Sequence, residues 1–469
     1  MSRITIRAGD DLPYHFLYGT LPIYALVAID RELSYRPAGY DRTDSYIKGD
    51  WDGRIQLFKQ SRSGASWYFP SGLLSRVTNV LDIFGTPYAV VAPEPWEADP
   101  QGFEWVSPYT LRHYQQEIVD VAYAAGGGVV ALPTGSGKTL VGLKLIQMFD
   151  MPTLVTVHTK ELLYQWQTEI KKHLGVDCGV VGDGTKEWGV ITVAMLQTLG
   201  VMFRQNEVSR LEFGMYLADE VHRTGADMTY NIAMRCTART RFGLSATPKR
   251  TDNAELKIFA ATGPIVSTLT PCDLIKAGYL ARPKLTLISV GGAQGFFSQD
   301  WQKEYVAHIV TNDERNEKIV DEVVRLVREG KQVYIHVERI AHLDLLYNMI
   351  VKEIGADKVA KIWGKVSTDD RQRLLQRFRN CRLNVLIGTI LKEGVDLPAM
   401  DAVILAGGLS SEVALVQKVG RVLRMNERFD YAEVIDFVDN GGRFCRKHSE
   451  LRYQAFMDYY GDCIEIEMV

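Results

Sequence analysis

Cysteine is sparse and unpatterned in this 469-residue chain, with six at positions 178, 236, 272, 381, 445 and 463. No two lie within four residues of each other, so the spacing of a zinc site is missing. Free thiols in a reducing compartment are the expectation that follows. No apolar run reaches the roughly 18 residues that a bilayer span needs. The opening Met1-Ser-Arg-Ile-Thr-Ile-Arg7 lacks an apolar signal core, so a cytoplasmic protein without membrane attachment is expected. A strong excess of either charge is also lacking. Lys and Arg number 54 against 57 Asp and Glu, a net charge of −3. That balance excludes a binder held by bulk positive charge, but not an enzyme whose basic groups line one groove. A hydrophobic content of 46% and a charged content of 24% are those of an ordinary globular protein. The length allows about three domains at roughly 150 residues each.

What is present begins with Leu132-Pro-Thr-Gly-Ser-Gly-Lys-Thr139. The apolar run 129–132 before it reads as a buried strand, and 140–149 after it reads as a helix. A strand, a glycine turn and a helix start make a phosphate cradle. Gly135 and Gly137 let backbone N–H groups, with Thr134 and Ser136, close around phosphate oxygens, and the helix N-terminus favours the anion. Lys138 reaches the β- and γ-phosphates, and the Thr139 hydroxyl is placed to ligate Mg²⁺. Leu132 stands where the pattern prefers a small residue. Upstream, Leu111-Arg-His-Tyr-Gln115 opens a helix. Gln115 has the amide geometry to read an adenine edge, with Arg112 assisting.

Downstream, Met215-Tyr-Leu-Ala-Asp-Glu-Val-His222 is an apolar strand ending in two acids. Asp219 is placed to hold the Mg²⁺ shell, Glu220 to polarise the attacking water, and His222 to couple this site to the next motif. That next motif is Phe242-Gly-Leu-Ser-Ala-Thr-Pro248. Further on come Gly388-Thr389, Lys392-Glu-Gly-Val-Asp396, and 416–424, where Gln417, Arg421 and Arg424 recur at helical spacing. Two arginines on one helix face suit a developing phosphoryl charge.

Strand and helix patterns alternate from 101 to 270 and again from 284, which implies parallel sheets. The expected divisions are 1–100, 101–270 and 271–469. The first hundred residues read as a small mixed α/β unit. The runs 24–28 and 55–58 read as strands, and 71–84 as a helix. Arg54 and Trp67 belong to an interleaving of basic and aromatic residues that suits either base stacking or a core with solvated charges. The run 371–382 is basic and helical, with a solvated face around Leu374, Leu375 and Phe378.

Six of these motifs occur in the order found in superfamily 2 helicases, and the chain resembles that superfamily over roughly residues 105 to 440. The resemblance implies two tandem RecA-like parallel-sheet domains behind a small α/β N-terminal accessory domain that contacts DNA. It also implies ATP and Mg²⁺ as cofactors, with Asp396 in the nucleotide site and Gln417, Arg421 and Arg424 completing it. Thr159, Thr198 and Thr389 are the expected phosphate contacts on nucleic acid. Within the superfamily the chain is most similar to the XPB and phage UvsW-type branch, in which Pro-x-Arg-x-Asp follows Ser-Ala-Thr; here that is Pro248-Lys-Arg-Thr-Asp252. The Arg-Glu-Asp triplet of XPB proteins is replaced by Arg250-Thr-Asp252, which favours the phage type. That type implies ATP-dependent branch migration, fork regression and unwinding of branched DNA in recombination, repair or replication, in the host cytoplasm if phage-encoded. Partners would be branched, single-stranded or double-stranded DNA, with the chain working as a monomer. An RNA helicase and the motor subunit of a nuclease complex are the alternatives.

Overall fold

The computed structural model describes residues 3–9, 12–91, 99–246, 254–293, 296, 298–389, 400–408, 419–420 and 431–469. The chain divides into two compact units, Met1–Leu132 with Gly137–Thr268, and Pro133–Ser136 with Leu269–Val469.

The first unit holds two sheets. The N-terminal one is mostly antiparallel. Its strands run, edge to edge, Lys59–Gln60, Ser66–Pro70, Tyr14–Tyr18, Ile4–Ala8 and Tyr88–Val91. Period-two alternation sends Ile4, Ile6, Leu17 and Phe69 to one buried face. Helix Leu74–Ile83 lays Val77, Val80 and Leu81 into the same core, the spacing that the sequence predicts. The run 24–28 is different. It lies inside helix Ile23–Glu32, which buries Ala25 and Ile29 four residues apart. Five apolar residues in a row carry no period of their own, and the decisive Ile29 lies beyond them.

The larger sheet has eight strands among the described residues. In order they are Thr185–Glu187, Gly179–Gly182, Ile191–Met195, Thr153–Val157, Met215–Asp219, Thr240–Ser245, Gly127–Ala131 and Ile265–Thr268. All neighbouring pairs but the outer hairpin are parallel. The inner strands are buried on both sides and are mostly apolar, while the edge strands Thr185–Glu187 and Ile265–Thr268 are largely exposed.

One apolar cluster runs through both sheets of this unit, from Ile6, Phe69 and Val77 to Tyr216, Ile258 and Ala261. At the junction Gly72 approaches the backbone so closely that a Cβ would lie 2.0 Å from the Phe259 carbonyl oxygen. Only glycine fits there. The N-terminal sheet also carries an acid-sensitive point. His15 stacks on Phe69 with 5.8 Å between ring centroids, and its Nδ1 has no hydrogen-bond partner among the described residues. Burial lowers its pKa from 6.5 to about 4. Above pH 6.5 the imidazole is neutral folded or unfolded. Between 6.5 and 4 only the unfolded chain takes up the proton, so stability should fall by about 2–3 kcal/mol across that window. His15→Phe should flatten this part of the pH profile in urea unfolding. An unchanged profile would refute it.

The second unit is built on a parallel sheet of seven described strands. Their order is Val359–Ile362, Val385–Gly388, Val333–His336, Ala402–Leu405, Tyr431–Asp439, Arg282–Val290 and Glu465–Met468. Its core is Ile319, Val323, Ile335, Ile387, Ile404 and Phe437. Arg315 and Arg452 are buried beside Asp439 and Asp436, each within hydrogen-bonding distance of a carboxylate. Cys272 and Cys463, 191 residues apart, are joined by a disulfide with Cα atoms 5.6 Å apart. The expectation of free thiols fails for this pair. Helix Pro271–Lys276 and the turn Gly461–Cys463 meet only because strand Glu465–Met468 adds beside Arg282–Val290. Local spacing carries no trace of that meeting.

Candidate nucleotide site

Strand register gathers the chemistry of the first unit at one end of the larger sheet. Ala131 lies opposite Ser245, and Leu244 opposite Asp219. The glycine turn, the serine and the acid pair therefore leave the sheet together, at the carboxyl ends where parallel sheets take ligands. The turn Pro133–Gly137 closes on itself. Ser136 Oγ donates to the Pro133 carbonyl at 2.7 Å, and Gly135 and Gly137 take φ of 85° and 82°. Gly137 caps helix Lys138–Phe149, with Thr139 in its first turn. A Cβ on Gly137 would lie 2.4 Å from Gln115 Nε2. Gln115 is 1% exposed, and its Oε1 accepts from the Arg112 backbone N–H at 2.9 Å. It thus wedges the first turn of its own helix against the cradle, while the Arg112 side chain is exposed. Lys138 Nζ, within 3.4 Å of the Leu132 carbonyl, lies back across the turn.

Asp219 is 7% exposed. Its Oδ2 accepts from Trp166 Nε1 at 2.8 Å and its Oδ1 from the Glu220 backbone N–H at 3.0 Å. Burial, and then the Glu220 charge, push its pKa up to about 6, against the pull of the Trp166 hydrogen bond and of Lys138 and His158. Glu220 is held in the left-handed region at φ 51°, ψ 57°, a conformation a long side chain avoids unless its surroundings impose it. The turn gives the two neighbouring carboxylates different partners. Glu220 Oε2 lies 3.4 Å from His222 Nδ1, which lies 3.2 Å from Ser245 Oγ. His222 thus lies between Glu220 and Ser245 of the next motif.

Trp166 lies in no motif of the sequence. It is fully buried on helix Lys160–Leu174, and the opposite edge of its indole crowds the nucleotide helix, where a Cβ on Gly142 would meet it at 2.8 Å. No local signal marks it, because its partner is 53 residues away.

Residues 108–250 match the family described as type III restriction enzyme, res subunit, and residues 314–426 match the helicase conserved C-terminal domain. The chain belongs to the superfamily 2 helicases. It is 27% identical over 372 residues to the DNA 3'-5' translocase XPB2 of Sulfurisphaera tokodaii, covering 71% of this chain and 82% of the relative. It is 23% identical over 441 residues to the ATP-dependent DNA helicase uvsW of Enterobacteria phage T4, covering 87% and 86%. The fold is shared with the ATP-dependent Type ISP restriction-modification enzyme LlaBIII bound to DNA. There the TM-score is 0.58 at 16% identity, over 84% of this chain and 34% of that one.

Asp396, Gln417, Arg421 and Arg424 lie outside the described residues, as do Thr247 and Pro248–Asp252. Thr389 follows strand Val385–Gly388 and donates its backbone N–H to Ile362 at 3.3 Å. Thr159 caps helix Lys160–Leu174, its hydroxyl accepting from Leu162 N at 3.2 Å, and Thr198 sits half-buried in the first turn of helix Leu196–Arg204. Arg54 and Trp67 are in different settings. Arg54 lines an open cleft of about 650 Å³ with Arg31, Tyr35 and Arg36. Trp67 lays its ring on buried Phe58, 4.8 Å between centroids, and packs against the core. No helix among the described residues is long and apolar enough to cross a membrane.

Proposed function

We propose that this helicase is an ATP-driven DNA translocase that remodels branched DNA. The observation that carries the reading is the strand-end constellation of Lys138, Asp219, Glu220, His222 and Ser245. Its donor set fits Mg·ATP. A glycine cradle with positive φ, an ammonium and a hydroxyl-bearing helix start suit the phosphates, and a buried carboxylate awaits a cation. When bound, Mg²⁺ neutralises charge developing on the phosphates.

The chain's own residues supply the rest. Thr134, Gly135, Ser136 and Gly137 wrap the phosphate chain, Lys138 reaches it, and Thr139 and Asp219 hold the cation's shell. Trp166 fixes the Asp219 carboxylate. Glu220 takes a proton from the attacking water, and His222 passes the state of that carboxylate to Ser245. Gln115 and Arg112 frame the base, while Asp396, Gln417, Arg421 and Arg424 act on the nucleotide from the second RecA-like domain. Residues 1–100 serve as an accessory domain, 101–270 as the first motor domain and 271–469 as the second. Thr159, Thr198, Thr389 and Arg54 meet nucleic-acid phosphates, which carry no sequence information, so recognition is by structure. The kinship with the DNA helicase uvsW and the DNA translocase XPB2 supports DNA as the track.

ATP hydrolysis and conversion of a four-way junction, a fork and a simple duplex should both disappear in Lys138→Ala. Remodelling that survives this change refutes ATP-driven motion. Stronger stimulation of the ATPase by RNA than by branched DNA refutes the DNA reading.

A further inference from the structure

The second unit carries a crevice of its own. It lies at the carboxyl ends of strands Val333–His336 and Ala402–Leu405, which are parallel neighbours. From the first the chain goes to strand Val359–Ile362 on one side of the sheet, and from the second to Tyr431–Asp439 on the other. Such a reversal is a topological switch point, the place where open parallel sheets take ligands. A cavity of about 290 Å³ occupies it, lined by Trp301, Tyr305, Glu338, Arg339, Gly407 and His448. Small-molecule pockets begin at about 300 Å³, so this one has room for a single ring system.

Its walls are built rather than accidental. Asp300 caps helix Trp301–Tyr305, accepting from Gln302 N at 2.8 Å. Tyr305 Oη donates to the Gly407 carbonyl at 3.0 Å, which fastens that helix over the strand end. A π-turn, Val306–Val310, follows directly, a distortion frequent at functional sites. Trp301 stands edge-on to His448 and Tyr305, with centroids 4.4 and 5.1 Å apart, and is half-buried at the cavity wall. Arg339 is exposed. Its guanidinium lies 5.7 Å from the Tyr305 ring centroid and donates to Gln302. That bond uses one of five donors of a planar fork suited to phosphate. A large aromatic ring beside an anchored guanidinium is the pairing that takes a flat base with its phosphate.

We propose that this crevice binds a single nucleotide unit, its base against Trp301 and its phosphate on Arg339. The unit is either an unpaired residue of a bound strand or a free nucleotide. The first source rests on the function proposed above; the second does not.

The test uses the full chain in fluorescence anisotropy with a labelled single-stranded oligothymidylate, and in calorimetry with AMP on a Lys138→Ala background. If the unit comes from a strand, Trp301→Ala should weaken oligonucleotide binding about tenfold, the loss of one base–aromatic stack. Trp301→Phe should restore most of it. Arg339→Gln should weaken binding and reduce the salt slope by about one. If the unit is a free nucleotide, Trp301→Ala and Arg339→Gln should abolish AMP binding and leave the oligonucleotide affinity unchanged. Arg339 is exposed, so its variant remains informative if the tryptophan variant misfolds. Wild-type affinities in both assays for both variants would overturn the proposal. Should the wild type show no ATPase stimulated by nucleic acid, the motor reading fails instead, and the AMP measurement still decides the site.

Discussion

Asp219→Asn should stop the motor and strengthen the fold. The carboxylate stands 7% exposed, with its pKa raised from 3.8 to about 6 chiefly by burial. A carboxyl raised in this way binds its proton more tightly folded than unfolded. Its contribution to stability is therefore lost as pH rises from about 4 to 6, and the deficit persists at pH 7. Two pKa units correspond to about 3 kcal/mol. Asparagine is nearly isosteric and carries no charge to desolvate; its amide oxygen still accepts from Trp166 Nε1, while its NH₂ gives up the bond from the Glu220 backbone N–H, which offsets part of the gain. The nucleotide-free variant should therefore melt a few degrees higher in calorimetry, while ATP hydrolysis falls on the order of 10³-fold. Mg²⁺ with nucleotide should raise the wild-type midpoint more than that of the variant, because only the wild type gains a partner for a buried charge. A variant that melts lower, or that keeps its ATPase, would sink this account of the site.

Removing the Arg241 guanidinium should give the largest loss of stability. Its side chain is 3% exposed near the amino end of strand Thr240–Ser245, the end away from Ser245. It donates to the carbonyls of Ala233, Cys236, Ala238 and Ala261, and lies 4.7 Å over the Tyr216 ring. These carbonyls lie at helix ends and turns, where the regular ladder of N–H donors stops; that of Ala233 also accepts a loop N–H, from Cys236 at 3.2 Å. Arg241→Met fills the space with apolar atoms and takes the guanidinium donors from these buried carbonyls, so urea unfolding should show at least about 3 kcal/mol of destabilisation. Arg241→Lys should recover little, because an ammonium on a flexible stem does not span four acceptors. A loss below about 1 kcal/mol for Arg241→Met would show that the network is ornamental.

The sequence disclosed what depends on short spacing. Leu132–Thr139 declares a phosphate turn because eight consecutive residues must cooperate, and Met215–His222 declares a strand-end acid pair for the same reason. The parallel sheets followed from the rhythm of apolar runs. The coupling of His222 to Ser245 was legible because both lie in recognisable motifs, although the register that joins them was not. Contacts made only by tertiary packing are not legible in the sequence, namely Trp166 on Asp219 and Cys272 on Cys463, and the carbonyls around Arg241, though mostly near in sequence, belong to no recognisable motif. Helix 23–32 was misread because a short apolar run fits either period, and its N-cap, Pro22, offers no side-chain hydrogen bond as a start signal. Trp67 shows the opposite ambiguity. An aromatic among basic residues looks the same in sequence whether it faces a base or Phe58.

The pairing of strand Glu465–Met468 with Arg282–Val290 has a consequence for how the protein is made. Lys284 lies opposite Glu465, so the contact spans about 180 residues of chain. During synthesis at roughly 5–20 residues per second, one edge of strand Arg282–Val290 waits some ten to forty seconds for its neighbour. Until then its Leu, Ile and Val side chains and open backbone edge are a template for other chains. The first unit has a wait of the same kind but a shorter one, since strand Gly127–Ala131 meets Thr240–Ser245 and Ile265–Thr268 once residue 268 has been translated. A ribosome stalled between these two points should display a folded first unit and an aggregation-prone second one, so slow codons or a chaperone would act on the second half of the message.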